Sequence, residues 1–188
     1  MSFIRKFFKV VYEFVEAFVI SASVFVVVYL FLMQPHQVKG SSMYPTFKDK
    51  EYLLTDKITY KRSLPKYGDV IVFKAPINEN YDFIKRVIAI PGQTVMVKGG
   101  HVFIDGQQLQ ESYLSDEVVT DSGQFLLEGQ SYVVREGEVM AFGDNREHSS
   151  DSRDWGPVPD ENIVGRVFFR YWPTSVVGVV NNPVKASN

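Results

Sequence analysis

The sequence predicts a mainly β, antiparallel domain preceded by one N-terminal transmembrane helix, and three observations carry that expectation. Residues 17–33, AFVISASVFVVVYLFLM, form an uncharged apolar run. Beyond residue 40 the apolar residues gather instead into short runs rich in Val, Ile and Phe, separated by turn residues. Gly99-Gly100 and Asp105-Gly106 punctuate alternating runs as hairpin turns do. A chain of 188 residues has room for one folded domain and an appendage of this kind.

The apolar run matches the lower length of a spanning helix, about 17–25 residues. Residues 10–15 extend its apolar character backwards, interrupted by Glu13 and Glu16. A buried core helix would carry a polar face, and 24–32 offers none. Arg5, Lys6 and Lys9 ahead of the run also suit a cleaved secretory signal. However, the run ends in QPHQVKG with no small-x-small site, and SAS at 21–23 lies too deep, so an uncleaved signal-anchor fits better. Lys39, Lys48 and Lys50 balance the three N-terminal cations. The charges nearest the span and on the short tail then favour a cytoplasmic N-terminus. The expected organisation is a short cytoplasmic tail over 1–13, a transmembrane helix over 14–33 and an extracytoplasmic β-rich domain over 34–188.

Within that domain, strands are expected over 70–73, 83–90, 94–97, 102–104, 132–134, 139–142 and 163–171. QTVMVKGGHVFIDGQQL reads as two successive hairpins, and the more polar stretch 107–130 as a long excursion. Nothing repeats at a fixed period, which argues against a solenoid or propeller.

Composition narrows the function. The 20 Lys+Arg against 22 Asp+Glu leave no basic excess to neutralise a phosphate backbone, so no nucleic-acid partner is expected. Zero cysteines exclude a disulfide framework, a thiolate metal site and a cysteine nucleophile. His36, His101 and His148 lack metal-ligand spacing, so no metal or cofactor is expected.

Three polar clusters interrupt the β pattern: GSSMYPT at 40–46, KRVIAIPG at 85–92, and GDNREHSSDSRDWG at 143–156. Singly, each has a plain reading as a turn, a strand ending in Pro-Gly, and a solvated loop with Asp–Arg pairs. Together they offer chemistry, because a serine hydroxyl becomes a useful nucleophile only when a neighbouring base takes its proton. His148 is one candidate base, although nothing in the sequence ties it to Ser42. Lys85 is another, since it opens the apolar stretch VIAI, and burial lowers a lysine pKa.

These clusters resemble the signature boxes of bacterial type I signal peptidases. Ser42-Met43-Tyr44-Pro45-Thr46 matches the family's first box, Lys85 to Gly92 its second with Ala89 at the small position, and Gly143 to Gly156 its third without a gap. Tyr67-Gly68-Asp69-Val70 is similar to the Gly-Asp-hydrophobic box between the first two. The resemblance implies a membrane-bound serine endopeptidase that cuts exported precursors after Ala-x-Ala on the outer face of the cytoplasmic membrane. By position it implies Ser42 as nucleophile, Lys85 as general base, and Ser149 as the hydroxyl that orients the lysine amine. Asp151 and Arg153 would brace the site, and Asp144, Asn145 and Arg146 would shape its floor. The family's side-chain oxyanion donor is replaced here by Gly40, which implies backbone N–H donors, that of Ser42 foremost. The glycine, the single anchor and the short chain resemble the Gram-positive form. The implied partners are signal-peptide-bearing precursors and the lipid bilayer, with the enzyme a monomer.

Ser42 follows Met33 by nine positions, a reach of about 30 Å at most, so the nucleophile works near the bilayer. Met43 and the residues around Lys85 are the expected walls of two shallow apolar pockets. Hydrophobic residues near Phe47 and Trp155 could touch the membrane, with a core role the favoured reading. Of three rivals, a self-cleaving repressor is rejected because it would carry a DNA-binding helical domain in place of the anchor, intact Ser42 and Lys85 argue against a non-catalytic anchored scaffold, and a peptidase of the same family with a narrow client is left open.

Overall fold

A computed structural model describes residues 2–76 and 78–181. Helix α1 spans Ser2–Val27, a stretch free of Gly and Pro. Within it Ile4–Val27 is long and apolar enough to cross a membrane, and none of its most apolar window is buried against protein. At 1.5 Å per residue this 24-residue segment is about 36 Å long. The helix already includes most of the expected tail. A wider helical turn, Val28–Leu32, follows it, and Met33 belongs to the first strand.

The strands are β1 (Met33–Gln37), β2 (Tyr52–Asp56), β3 (Val70–Ala75), β4 (Asn78–Ala89), β5 (Thr94–Lys98), β6 (His101–Ile104), β7 (Gln107–Gln108), β8 (Ser131–Val133) and β9 (Glu138–Phe142). A one-turn helix α2 (Ser152–Trp155) precedes β10 (Val158–Pro159), β11 (Ile163–Trp172) and β12 (Gly178–Val179). The larger sheet has the order β1-β2-β11-β3-β4-β9-β10 with β12 on β11; the smaller has the order β7-β6-β5-β8. Every pairing is antiparallel.

Each expected strand is present, most lengthened by a residue or more, and both hairpins form. Lys98 pairs with His101 around Gly99-Gly100, and Ile104 pairs with Gln107 around Asp105-Gly106. All four of these turn residues have positive φ, which glycine adopts freely and aspartate tolerates. From Leu109 to Gln130 the chain forms no strand or helix, as the polar composition suggested.

β3 explains why VIVF is unbroken by polar residues: it is buried on both faces. Val70 and Val72 pack with Val38, Met43, Phe47, Leu53 and Val167, while Ile71 and Phe73 pack with Val87, Val139, Ala141 and Val158. A third cluster joins the small sheet to the large one through Val95, Val97, Ile88, Met140 and Phe142. Phe47 is 1% exposed and Trp155 packs against Phe73, so both residues take core positions.

Candidate active site

The first cluster lies in a turn that leaves the end of β1. Val38 continues the pairing with the chain before β2, donating to Glu51 O and accepting from Lys50 N. Gly40 then adopts φ +86°, and its N–H donates to Asp49 Oδ1 at 2.8 Å. A Cβ at Gly40 would meet nothing within 4 Å, so backbone conformation and not space calls for glycine there. Met43 and Phe47, each 1% exposed, anchor the turn in the core. Ser42 sits half-buried between these fixed points.

The third cluster grips the same turn. Asn145 N–H donates to Ser42 O at 3.0 Å, and its side-chain amide donates to Ser41 O at 3.1 Å. Asp144 is the hub between all three clusters. Its carboxylate accepts Thr46 Oγ1–H at 2.5 Å and both Arg86 Nε–H, at 2.8 Å, and Arg86 Nη2–H, at 2.6 Å. The same guanidinium donates to Gly68 O at 3.0 Å, which ties in the Tyr67–Val70 box. Arg86 is 1% exposed, and its charge is therefore fully paired within the protein. Asp151 caps α2 and binds Arg153 through both oxygens while accepting Gly143 N–H at 2.9 Å. Arg153 in turn donates to Arg146 O at 2.8 Å, and Arg146 donates to Gly143 O at 3.0 Å and pairs with Glu111.

Ser42 and Lys85 line one groove of about 590 Å³, with 35–39 along one wall and 80–85 along the other. Met43, Val38 and Ile84 form its apolar floor beside the serine. Lys85 is 4% exposed, and its amine lies 5.5 Å from the Phe83 ring centre. Burial pushes its pKa down from 10.5 to about 8; Asp151 and Asp144 oppose that shift, and Arg153 adds to it. This arrangement places a lysine whose pKa is lowered to about 8 in the same groove as a serine hydroxyl. His148 is exposed and lies outside the groove lining.

One expected contact is not made. Ser149 Oγ is buried without any hydrogen-bond partner, so it does not bond the Lys85 amine. The 146–150 segment instead seats this hydroxyl against Gly143: an ideal Cβ on Gly143 would lie 2.1 Å from Ser149 Oγ and 2.5 Å from Ser42 O. Sequence reasoning also passed over His36 and Asp82, which line the groove. Their only sequence signal is alternation with Val38 and Ile84, which has no meaning until the strands are known to face one groove.

The depressed lysine pKa carries a stability consequence. Below pH 8 the buried amine is protonated in both folded and unfolded chains, and its burial penalty is paid in full. Between pH 8 and 10.5 the unfolded chain binds more protons, so stability rises with pH across that window. Lys85→Met is therefore expected to be more stable than the parent at pH 7, by on the order of 3 kcal/mol. Chemical unfolding of the full chain in detergent checks this, and the gap should close toward pH 10. Equal stability at both pH values would contradict the burial argument.

A family model described as signal peptidase, peptidase S26, matches residues 11–172. The chain is 41% identical over 152 residues to the probable signal peptidase I-1 of Synechocystis sp. (strain ATCC 27184 / PCC 6803 / Kazusa), covering 77% of this chain and 74% of that relative. It is 34% identical over a 190-residue alignment to signal peptidase IB of Staphylococcus aureus (strain MRSA252), covering 94% and 98% of the two chains. Among solved structures, a signal peptidase I from Enterococcus faecalis V583 aligns with 28% identity and a TM-score of 0.45, covering 55% of this chain and 97% of that one.

Proposed function

This chain belongs to the signal peptidase family, peptidase S26, and is a serine peptidase that removes signal peptides; we propose that it does so with Ser42 as nucleophile and Lys85 as general base. The observation that carries the assignment is the buried Lys85 amine, lowered to about 8, in the groove that Ser42 also lines. The neutral amine takes the Ser42 hydroxyl proton as Oγ attacks the scissile carbonyl. The oxyanion is held by backbone N–H groups, that of Ser42 foremost, with the Gly40 conformation opening the approach. The lysine ammonium then protonates the departing amine, leaving an acyl group on Ser42. Lys85 next deprotonates a water that attacks the ester, and the proton returns to Ser42 as the signal peptide's new C-terminus leaves.

Substrate geometry supports the same reading. Among the described residues the outer edge of β1 carries no partner strand, and residues 82–85 of β4 pair only with β3. An extended precursor segment can therefore lie between them, and the small apolar floor by Val38, Met43 and Ile84 suits the alanine of an Ala-x-Ala site. The exposed apolar helix holds the groove at the bilayer. Arg5, Lys6 and Lys9 support a cytoplasmic N-terminus, with the β domain outside the cytoplasmic membrane, where secretory precursors emerge.

The test is a pH–rate profile on a model precursor ending in Ala-x-Ala. kcat/KM is expected to rise about tenfold per pH unit and level off above an apparent pKa of about 8. His148→Ala should retain that limb. A limb near about 6.5, the ordinary histidine value, that disappears in His148→Ala would transfer the base to the imidazole.

A further inference from the structure

Arg146 is the most deeply buried arginine of the site, and the carboxylate that balances it comes from outside every sequence cluster. Its side chain is 0% exposed. All five of its guanidinium N–H groups have an acceptor. Nε donates to Gly143 O at 3.0 Å, and Nη1 to Glu111 Oε2 at 2.9 Å and Thr120 Oγ1 at 2.6 Å. Nη2 donates to Glu111 Oε1 and to Tyr113 OH at 3.3 Å. Glu111 lies near the start of the polar excursion and is itself only 13% exposed. The Tyr113 hydroxyl donates to Glu111 Oε1 at 2.5 Å, and its ring centre lies 4.0 Å from the Arg86 guanidinium, so one short segment covers both arginines.

The Arg146–Glu111 pair is linked to the nucleophile through the backbone. Arg146 reaches back to Gly143 O while its own carbonyl accepts Arg153 Nη2–H at 2.8 Å, which fixes the loop 143–146 at both ends. Asn145 sits inside that loop, with its N–H on Ser42 O at 3.0 Å and its side-chain amide on Ser41 O at 3.1 Å. The Ser41–Ser42 peptide is trans and planar, so its C=O and N–H point in opposite directions. Holding Ser41 O therefore sets the aim of the Ser42 N–H, the foremost oxyanion donor of the proposed mechanism. Such a donor is effective when it is fixed before the reaction begins.

We propose that Glu111 is a positioning residue for the oxyanion site: it locks Arg146 and, through the Asn145 loop, fixes the peptide whose N–H receives the oxyanion. This inference rests on the proposed function above, in which the Ser42 N–H holds that charge. Stabilisation alone would not call for an ion pair here, because two apolar side chains of similar volume fill such a site about as well. A bidentate carboxylate on a planar guanidinium adds direction, which packing does not supply.

The experiment uses the full chain in lipid–detergent micelles and a precursor ending in Ala-x-Ala, well below the unfolding midpoint of each variant, so that the folded fraction stays constant. Glu111→Gln is expected to lower kcat by about 10²-fold and to leave KM within about twofold, because the groove walls 35–39 and 80–85 are untouched. The limb of the pH–rate profile near about 8 should stay in place while its plateau falls, since burial, Asp151, Arg153 and Asp144 set the Lys85 pKa. Glu111→Asp, which keeps the charge, should recover most of the loss. Glu111→Leu combined with Arg146→Met removes the unbalanced charge, so the unfolding midpoint should return to that of the parent while kcat stays low. A parent-like kcat in folded Glu111→Gln or in the double variant overturns the proposal and leaves the pair a stabilising one. A shifted limb also overturns it, because Glu111 would then act on the charge of Lys85. Failure of the parent enzyme to cleave the precursor would instead overturn the proposed function itself.

Discussion

Ser42→Ala and Lys85→Met are each expected to reduce cleavage of an Ala-x-Ala precursor by on the order of 10⁴-fold, and the double variant to lose no more than either single one. The non-additivity is the informative part. If Lys85 serves only to deprotonate Ser42 and its successor water, removing it from an enzyme that already lacks the hydroxyl changes nothing further. Lys85→Arg sharpens the test. It keeps a cation beside Asp151 and Asp144, the two carboxylates whose charges reach Lys85, but a guanidinium does not deprotonate in this range. A merely electrostatic role predicts activity in Lys85→Arg; a general base predicts none. Single-turnover cleavage with excess enzyme reads the chemical step directly. Activity within tenfold of the parent in either single variant would overturn the dyad.

That Ser42 and Lys85 line one groove is the part that strand patterns could not supply. The hairpins around Gly99-Gly100 and Asp105-Gly106 were legible because turn chemistry is local, and their residues carry their own conformational signature. β3 was legible because a strand buried on both faces needs an unbroken apolar run. β1 and β2 were not. β1 contains Pro35, which a sheet tolerates only at an edge, and that is where β1 lies. β2, YLLTD, is short and flanked by charged residues, and its partner β11 lies more than a hundred residues away, so no local pattern announces the pairing.

The site divides the same way. The resemblance named Ser42, Lys85 and the third cluster by position, yet the forces that join them are long-range. Asp144 reaches Thr46 across 98 residues and Arg86 across 58. Sequence reading gave Arg86 no role of its own, whereas its buried guanidinium locks Asp144 to the strand that presents Lys85. His36 was weighed only as a metal ligand. Its place in the groove depends on β1 curving round to face β4, which no residue of β1 encodes alone.

Gly143→Ala is expected to lower kcat by about 10²-fold or more without unfolding the sheet, since displacing a reacting group by about 1 Å costs that much. The φ of Gly143 is ordinary, so backbone strain is not the cause. The added methyl would meet Ser42 O at 2.5 Å, Ser149 Oγ at 2.1 Å and Ser149 Cβ at 2.6 Å, all inside any tolerated contact. The serine side chain at 149 could rotate away, but Ser42 O is backbone and already accepts the Asn145 N–H. Relief must therefore shift the turn that carries the nucleophile or the loop that holds Asp144, and either movement separates Ser42 from Lys85. Adding Ser149→Gly to Gly143→Ala removes two of the three clashes and leaves the one with Ser42, so it should restore activity only in part. Gly40→Ala is the contrasting case: its Cβ has open space, its cost is confined to a positive φ of +86°, and its loss should be the smaller of the two. Steady-state kinetics beside an unfolding curve separate these outcomes. Gly143→Ala retaining activity within about threefold of the parent, or full rescue by Ser149→Gly, would remove the close packing of Gly143 on Ser42 from the account of the site.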